Sequence, residues 1–276
     1  MRVFIGSEAL AAGVVSRYEL CSAYDRLLPD VYAPKGAALA LADRTAAAWL
    51  WSKRRGVVSG LAAAALHHAK WIDASVPIEL IYANNKSPNG VVARQETLIA
   101  GEVRRLGEMS VTTAERTAFD LARRGSIVDA VAHLDALARA TGFKADDVLA
   151  VADRHPHMRG VRRIPRVLDL VDEGAQSPKE SWLRVLLIDA GFPRPQTQIP
   201  ILAPDGYPRY FLDLGWPELK IAVEYDGEQH RTDRIQFRGD VTRAEYIEHL
   251  GWRRIRVLAG DRGPEVIRRV ERVWPR

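Results

Sequence analysis

Hydrophobic and polar residues follow two periods along this chain. From Leu219 to Asp226 the period is two: Leu219, Ile221, Val223 and Tyr225 share one face, and Lys220, Ala222, Glu224 and Asp226 the other, which predicts a strand. Before it, Thr197 to Leu202 and Tyr207 to Leu214 read as a hairpin around Pro204-Asp205-Gly206. Ser177 as N-cap and Pro178 at the first helical position predict a helix, delimited by Asp189-Ala190-Gly191. Downstream, Thr232 to Leu250 reads as a helix with Phe237, Val241 and Ala244 inward. Trp252 to Leu258 is a last strand and Pro264 to Trp274 a closing helix. The order predicted over residues 174–276 is therefore α, β, β, β, α, β, α.

Upstream the pattern is mostly helical. Ser7 is placed to cap a helix from Glu8 to Ala12, and Ser16 to cap a second from Arg17 to Arg26, before an extended hairpin from Leu27 to Pro34. Helix, turn, helix and strand is the plan of a winged helix-turn-helix over residues 1–37. Its second helix would offer Arg17, Tyr18 and Arg26 to a DNA major groove. The same stretch reads equally as a packing subdomain. Residues 38–173 are expected to form an α-rich connector with a small sheet. In it Ala38 to Lys70 is helical in two pieces, and Pro77 to Ala83, Val91 to Ile99 and Gly101 to Ser110 are strands. Helices are expected from about Val111, from Ile127 to Ala140, from Lys144 to Arg154 and from Val167 to Asp172, with Thr112 and Glu115 spaced as a capping box. Asp120 is expected to be solvated or paired.

Composition narrows the picture only slightly. A chain of 276 residues with 47% hydrophobic content can bury a proper core in two domains or more. It has no apolar run of about 18 residues and no signal-like N-terminus, so a cytoplasmic protein without a membrane partner is expected. The single cysteine, Cys21, excludes an internal disulfide and is expected to be buried. A net charge of +5 favours an anionic partner, but only seven of the 40 basic residues are lysine, so the arginines reflect base composition as much as phosphate binding. Arg162 and Arg163, in the most basic stretch, either track a phosphate backbone or serve the next helix. His67 and His68 point about 100° apart on a helix and cannot jointly ligate one metal; one is expected inside and one outside.

The candidate chemistry lies in the acidic hairpin. Asp213 on one predicted strand falls beside Glu224 on the next, with Asp226 two residues on. Carboxylates that close repel, and a divalent cation relieves the conflict; oxygen ligands suit Mg²⁺ or Mn²⁺. The plainer reading is that these acids solvate an exposed sheet face.

Asp213, Glu224-Tyr225-Asp226-Gly227 and Gln229-His230 resemble the active-site hairpin of the PD-(D/E)XK nuclease superfamily. More closely they resemble the domain of unknown function related to very-short-patch-repair endonucleases. The likeness runs from about Ser177 to Trp274. It takes in Ser177-Pro178-Lys179-Glu180-Ser181-Trp182, Phe237-Arg238-Gly239-Asp240-Val241-Thr242-Arg243 and Gly251-Trp252-Arg253-Arg254-Ile255-Arg256-Val257. It implies a restriction-endonuclease-like α/β core, a mixed αβββαβ sheet flanked by helices. Asp213, Glu224 and Asp226 would be metal ligands and Glu180 a further carboxylate. Gln229 or His230 would position water, and Arg234, Arg238 and Arg243 would meet phosphate. The chain departs from the superfamily at Asp226, where a lysine is usual; Lys179, Lys220, Gln229 or His230 could take that role.

Residues 1–140 weakly resemble the winged-helix domain of abortive-infection type IV antitoxins, through Val31-Tyr32-Ala33, Ser59-Gly60-Leu61-Ala62-Ala63 and Thr112-Thr113-Ala114-Glu115-Arg116-Thr117. The resemblances imply an Mg²⁺- or Mn²⁺-dependent endonuclease acting on DNA, expected to be double-stranded, in repair or defence. It could be a homodimer or have a toxin or antitoxin partner. A DNA-binding, antitoxin-like regulator with a degenerate nuclease fold and an RNase toxin are the rival expectations.

Overall fold

The computed structural model describes residues 2–84, 86–226 and 234–275, the side chains of 234–241 excepted. The chain divides into two compact units, Met1–Val171 and Asp172–Arg276, each mixing helices with a sheet. No helix among the described residues is long and apolar enough to cross a membrane.

The first unit opens with β1 (Phe4–Ile5), α1 (Gly6–Ala11), α2 (Arg17–Ser22), β2 (Tyr24–Leu28) and β3 (Val31–Pro34). The strands form a three-stranded sheet in the order β1-β3-β2. Ser16 caps α2 through a capping box with Glu19. Three expectations change here. Ser7 is no cap, because its N–H and hydroxyl both donate to Asp30. The second helix stops at Ser22, so Arg26 lies on β2 rather than on a recognition helix. Cys21 is exposed, not buried, since α2 turns its Leu20 face inward. This N-terminal segment shares one hydrophobic core with the residues that follow it as far as Val111: Val3, Ile5 and Val31 pack with Trp49, Leu50, Val58, Leu80 and Val111.

Next come α3 (Leu41–Trp51), β4 (Val57–Ser59), α4 (Gly60–Leu66), β5 (Ile78–Ile81), β6 (Val91–Arg94), β7 (Val103–Leu106) and β8 (Met109–Thr112). They give a five-stranded sheet in the order β6-β5-β4-β8-β7, with β4 at its centre. Sequence periodicity hides β4, which has only three residues between two Ala-rich helices. His67 is buried with Nε2 2.8 Å from the Thr112 carbonyl and His68 is exposed, but the expected helical angle is not the reason: α4 ends at Leu66, His67 is its C-cap and His68 turns away with a left-handed φ of 68°. The remainder is helical: α5 (Ala114–Ala122), α6 (Ile127–Thr141), α7 (Ala145–Arg154) and α8 (Ile164–Asp169). Thr113, not Thr112, caps α5; Thr112 is buried and hydrogen-bonds Thr117.

Around α5 runs a network of buried charge. Arg116, fully buried, donates to Glu102 at 2.5 Å and to Asp120 and Glu96 at 3.2 Å. Glu102 also meets His155 at 2.8 Å, and Arg123 and Arg124 reach Glu96 and Asp120. Burial opposes ionisation of Glu102, but hydrogen bonds from His155, the Ile99 N–H and Arg116 outweigh it and hold its carboxyl below the usual range.

The second unit contains α9 (Pro178–Asp189), β9 (Gln196–Leu202), β10 (Pro208–Trp216), β11 (Ile221–Asp226), α10 (Arg234–His249), β12 (Arg253–Leu258) and α11 (Gly263–Val273). Its sheet runs β12-β11-β10-β9, antiparallel except for the parallel pair β11–β12. A parallel pair needs a crossover, and α10 lies in that connection. One core joins Leu183 and Leu187 of α9 and Val266 and Val270 of α11 to Leu214, Val223 and Val257. A second joins Ile247 of α10 to Ile199, Leu212 and Ala222. Helices thus cover both sheet faces, and β11 is buried through Ile221, Ala222, Val223 and Glu224. The solvated acidic face that alternation allowed is not found. Gly215 is required by the close approach of β10 and β11: a Cβ there would sit 2.3 Å from the Ile221 carbonyl oxygen.

Candidate functional site

The β10–β11 ladder is paired at Leu214↔Val223, Gly215↔Ala222 and Trp216↔Ile221 and is not continued to Asp213 and Glu224, the next opposed positions. There the strands part, and the Asp213 side chain fills the gap: its Oδ2 accepts the Tyr225 backbone N–H at 3.0 Å. Glu224 is buried beside it. Its Oε1 accepts from Arg243 Nη2 at 2.5 Å and its Oε2 from Arg254 Nη1 at 3.1 Å.

The third acid comes from the N-terminus of α9. Ser177 caps that helix by accepting the Glu180 N–H, and Glu180 returns the bond by accepting the Ser177 hydroxyl at 2.9 Å. Its other oxygen accepts the Gln176 N–H at 2.8 Å and Gln198 Nε2 at 3.2 Å. Glu180 therefore stabilises the helix end and, buried, also bears on Asp213. Gln198 stands on β9 opposite Asp213 of β10, with a left-handed φ of 50°. Such a conformation is uncommon outside glycine and costs on the order of 1–3 kcal/mol, a strain concentrated beside the acids.

Electrostatically the three carboxylates act as a group. Burial, then the charges of Glu180 and Glu224, push the Asp213 carboxyl up to about 7, against the Tyr225 N–H and Arg243, which favour the anion. Near neutral pH Asp213 thus stands between its acid and its anion.

The other sequence-derived positions divide. Asp226, at the end of β11, pairs with Arg256. Lys179 sits 5.7 Å from the centroid of the Tyr225 ring, whereas Lys220, with φ 49°, ends a 3₁₀ turn (Pro217–Leu219) before β11 begins, where a strand from Leu219 was expected, and donates to the Leu250 carbonyl at 2.9 Å. Lys220 is thereby committed to closing the α10–β12 turn. Gln229 and His230 lie outside the described residues, as do the side chains of Arg234 and Arg238. Arg243, expected to face phosphate, holds Glu224. Sequence reasoning missed Arg254 and Arg256 as partners of the acids. Their signal was the alternation Arg254-Ile255-Arg256-Val257, but only the parallel register Ala222↔Arg254 and Glu224↔Arg256 shows which acids they meet.

In the first unit Arg17 and Tyr18 are exposed on α2 and Arg26 is exposed on β2. Arg162 is exposed in a short 3₁₀ turn, while Arg163 donates to the Gly125 carbonyl at 2.6 Å and so serves the fold.

Among the described residues no group of three or more histidine, cysteine or acidic side chains is disposed to hold a metal ion. The oxygens of Glu224 and Glu180 are directed at arginine, serine, glutamine and backbone donors instead.

No family model matches the chain. It is similar to two proteins of Mycobacterium tuberculosis, each described only as uncharacterized (MT2308 and Rv2248, from two strains), at 26% identity over 163 residues. The match covers 59% of this chain and spans 60% of the length of each relative.

Proposed function

We propose that the second unit is a PD-(D/E)XK-like nuclease domain cleaving DNA phosphodiesters with Mg²⁺ or Mn²⁺. We further propose that the first 37 residues act as a winged helix that presents Arg17 and Tyr18 to DNA. The observation that carries the nuclease reading is the meeting of Asp213 and Glu224 where their two strands part, with Glu180 near enough to raise the Asp213 carboxyl. Buried carboxylates that suppress one another's ionisation suit a cation, and an all-oxygen donor set suits Mg²⁺ or Mn²⁺. Asp213 and Glu224 would hold it, with Asp226 or Glu180 adding a further oxygen. When bound, such an ion supplies an activated water at neutral pH and neutralises phosphate charge.

The chain's own groups prepare the site. Tyr225 N–H fixes the Asp213 carboxylate, and Arg254 keeps Glu224 oriented from β12. Arg243, partly exposed, is placed to exchange Glu224 for a phosphate oxygen, because a guanidinium serves either anion with the same fork of donors. Lys179, beside the Tyr225 ring, is the described lysine we assign to the role that Asp226 leaves open in place of the superfamily's usual lysine.

One observation favours a second reading, a DNA-binding regulator with a retired nuclease core. Arg243 and Arg254 already neutralise Glu224, and Arg256 neutralises Asp226, so these acids are tolerated without a cation. Incubation of supercoiled plasmid with Mn²⁺ and purified protein separates the two. Nicking that Asp213→Ala abolishes supports the nuclease. No nicking, or nicking indifferent to that substitution, favours the regulator.

A further inference from the structure

Seven non-glycine residues among those described have a left-handed backbone, and Gln198 is the one that stands inside a β-strand. The strain sits at a change of face. On β10, Leu212 pairs with Ile199 and packs into the core shared with α10, whereas Leu214 pairs with Thr197 and packs into the core of α9 and α11. Two residues apart on a regular strand, they would share one face. Gln198 and Asp213 are the opposed residues between these two pairs, so the ladder turns over where the candidate ligand leaves it. Glycine would allow that turn without strain, because it takes a φ of 50° freely. What glycine lacks is a side-chain amide.

The Gln198 amide is engaged at both ends. Its Oε1 accepts from Gln176 Nε2 at 2.7 Å, which leaves its Nε2 to donate to Glu180 Oε2 at 3.2 Å. The reversed amide would set an oxygen against the Glu180 carboxylate, so Gln176 fixes the donor on that side. The other partners of Glu180, the Ser177 hydroxyl and the Gln176 N–H, belong to its own helix end. Among the described residues Gln198 is therefore the one member of the sheet that hydrogen-bonds Glu180. An ionised carboxylate offers about four acceptor sites. Three are taken, and the free one is on Oε1. Asp226, by contrast, is paired with Arg256 at the end of β11. We propose that Gln198 is a positioning residue for the cation site: its strained backbone aims an amide that holds Glu180 beside Asp213 as the third oxygen ligand. The charge of Glu180 already acts on Asp213, as it must between neighbours. The inference rests on the nuclease reading and deepens it by naming the acid that completes the site and the residue that places it.

The test pairs calorimetric titration of Mn²⁺ with thermal melting in EDTA. It compares wild type, Gln198→Gly, Gln198→Met, Glu180→Gln and the double variant Gln198→Gly with Glu180→Gln. Gln198→Gly releases the strain, so its melting transition should not fall below that of wild type. Its Mn²⁺ affinity should nevertheless drop about 10- to 100-fold, the usual effect of removing a group that orients a ligand. Gln198→Met keeps the length of the side chain without its hydrogen bonds and should lose as much. A merely structural residue would move stability and affinity together. Because Gln198 acts through Glu180, the double variant should bind Mn²⁺ no more weakly than Glu180→Gln alone. Unchanged Mn²⁺ affinity in Gln198→Gly, a lowered melting transition in that variant, or losses that add in the double variant would overturn the proposal. If any of these occurs while Asp213→Asn still abolishes Mn²⁺ binding, the inference alone fails and the nuclease reading stands. Absence of Mn²⁺ binding by wild type would overturn both.

Discussion

Arg243 Nη2 donates to Glu224 Oε1 at 2.5 Å and to the Phe211 carbonyl at 2.8 Å, so one guanidinium group neutralises a buried acid and fixes the neighbouring strand. A cation placed between Asp213 and Glu224 would compete with it. Arg243→Met should therefore destabilise the second unit in EDTA by about 1–3 kcal/mol, below the usual cost of orphaning a buried charge because Arg254 remains. In Mn²⁺ the loss should shrink, since the ion replaces the missing charge. Calorimetric melting with and without Mn²⁺ checks both, and a deficit unaffected by Mn²⁺ would argue that no ion enters.

Asp213 makes stability depend on pH. Its folded-state carboxyl, at about 7, lies above the unfolded value of 3.8, so between those values the folded chain binds the extra proton. Stability from this group is thus full below pH about 4, declines as pH rises, and is lost above pH about 7. Asp213→Asn keeps the size and removes the titration. Its advantage over wild type in EDTA should grow across that window to about 1–3 kcal/mol at pH 8, allowing for partial solvent access. Urea melts at pH 4.5 and 8 measure it.

The first unit should be most sensitive at Arg116. Fully buried between Glu102 and Asp120, it is part of a network in which removal of one partner strands the others in low dielectric. Arg116→Met should cost about 3–5 kcal/mol, whereas Lys53→Met, at the exposed pair with Asp30, should cost less than about 1 kcal/mol. Chemical denaturation of the two variants compares them directly.

Much of the second unit could be read from the sequence because its signals are local. Ser177-Pro178 marks the start of α9, Pro204-Asp205-Gly206 the β9–β10 turn, and the period of two the strand β11. The meeting of Asp213 with Glu224 came from placing them on successive antiparallel strands, which the short 3₁₀ turn Pro217–Leu219 joins. What local pattern could not show was what the acids touch. Arg254 and Arg256 reach Glu224 and Asp226 through a parallel pairing some thirty residues apart, and Glu180 arrives from another layer. In the first unit β4 was invisible, because three residues between alanine-rich helices carry no measurable period. Asp120 was read as an acid either solvated or paired. Its burial depends on Arg116, Arg123 and Arg124 closing over it, which no spacing along one helix reveals.

Gly215 offers a purely structural check. With the Ile221 carbonyl 2.3 Å from where a Cβ would stand, Gly215→Ala must push β10 away from β11. A loss of at least about 3 kcal/mol, or failure to fold, is expected, as for an overpacked core. A tolerated alanine would mean that the strands are further apart than described, and with them Asp213 and Glu224.

The most direct measurement is calorimetric titration of Mn²⁺ and Mg²⁺ into wild type, Asp213→Asn and Glu224→Gln, needing no knowledge of the substrate. A saturable site in wild type, with proton release near pH 7 as Asp213 ionises, that is lost in both variants is the expected result. Binding that survives both substitutions, or no binding by wild type at millimolar metal, would contradict a cation held between these strands.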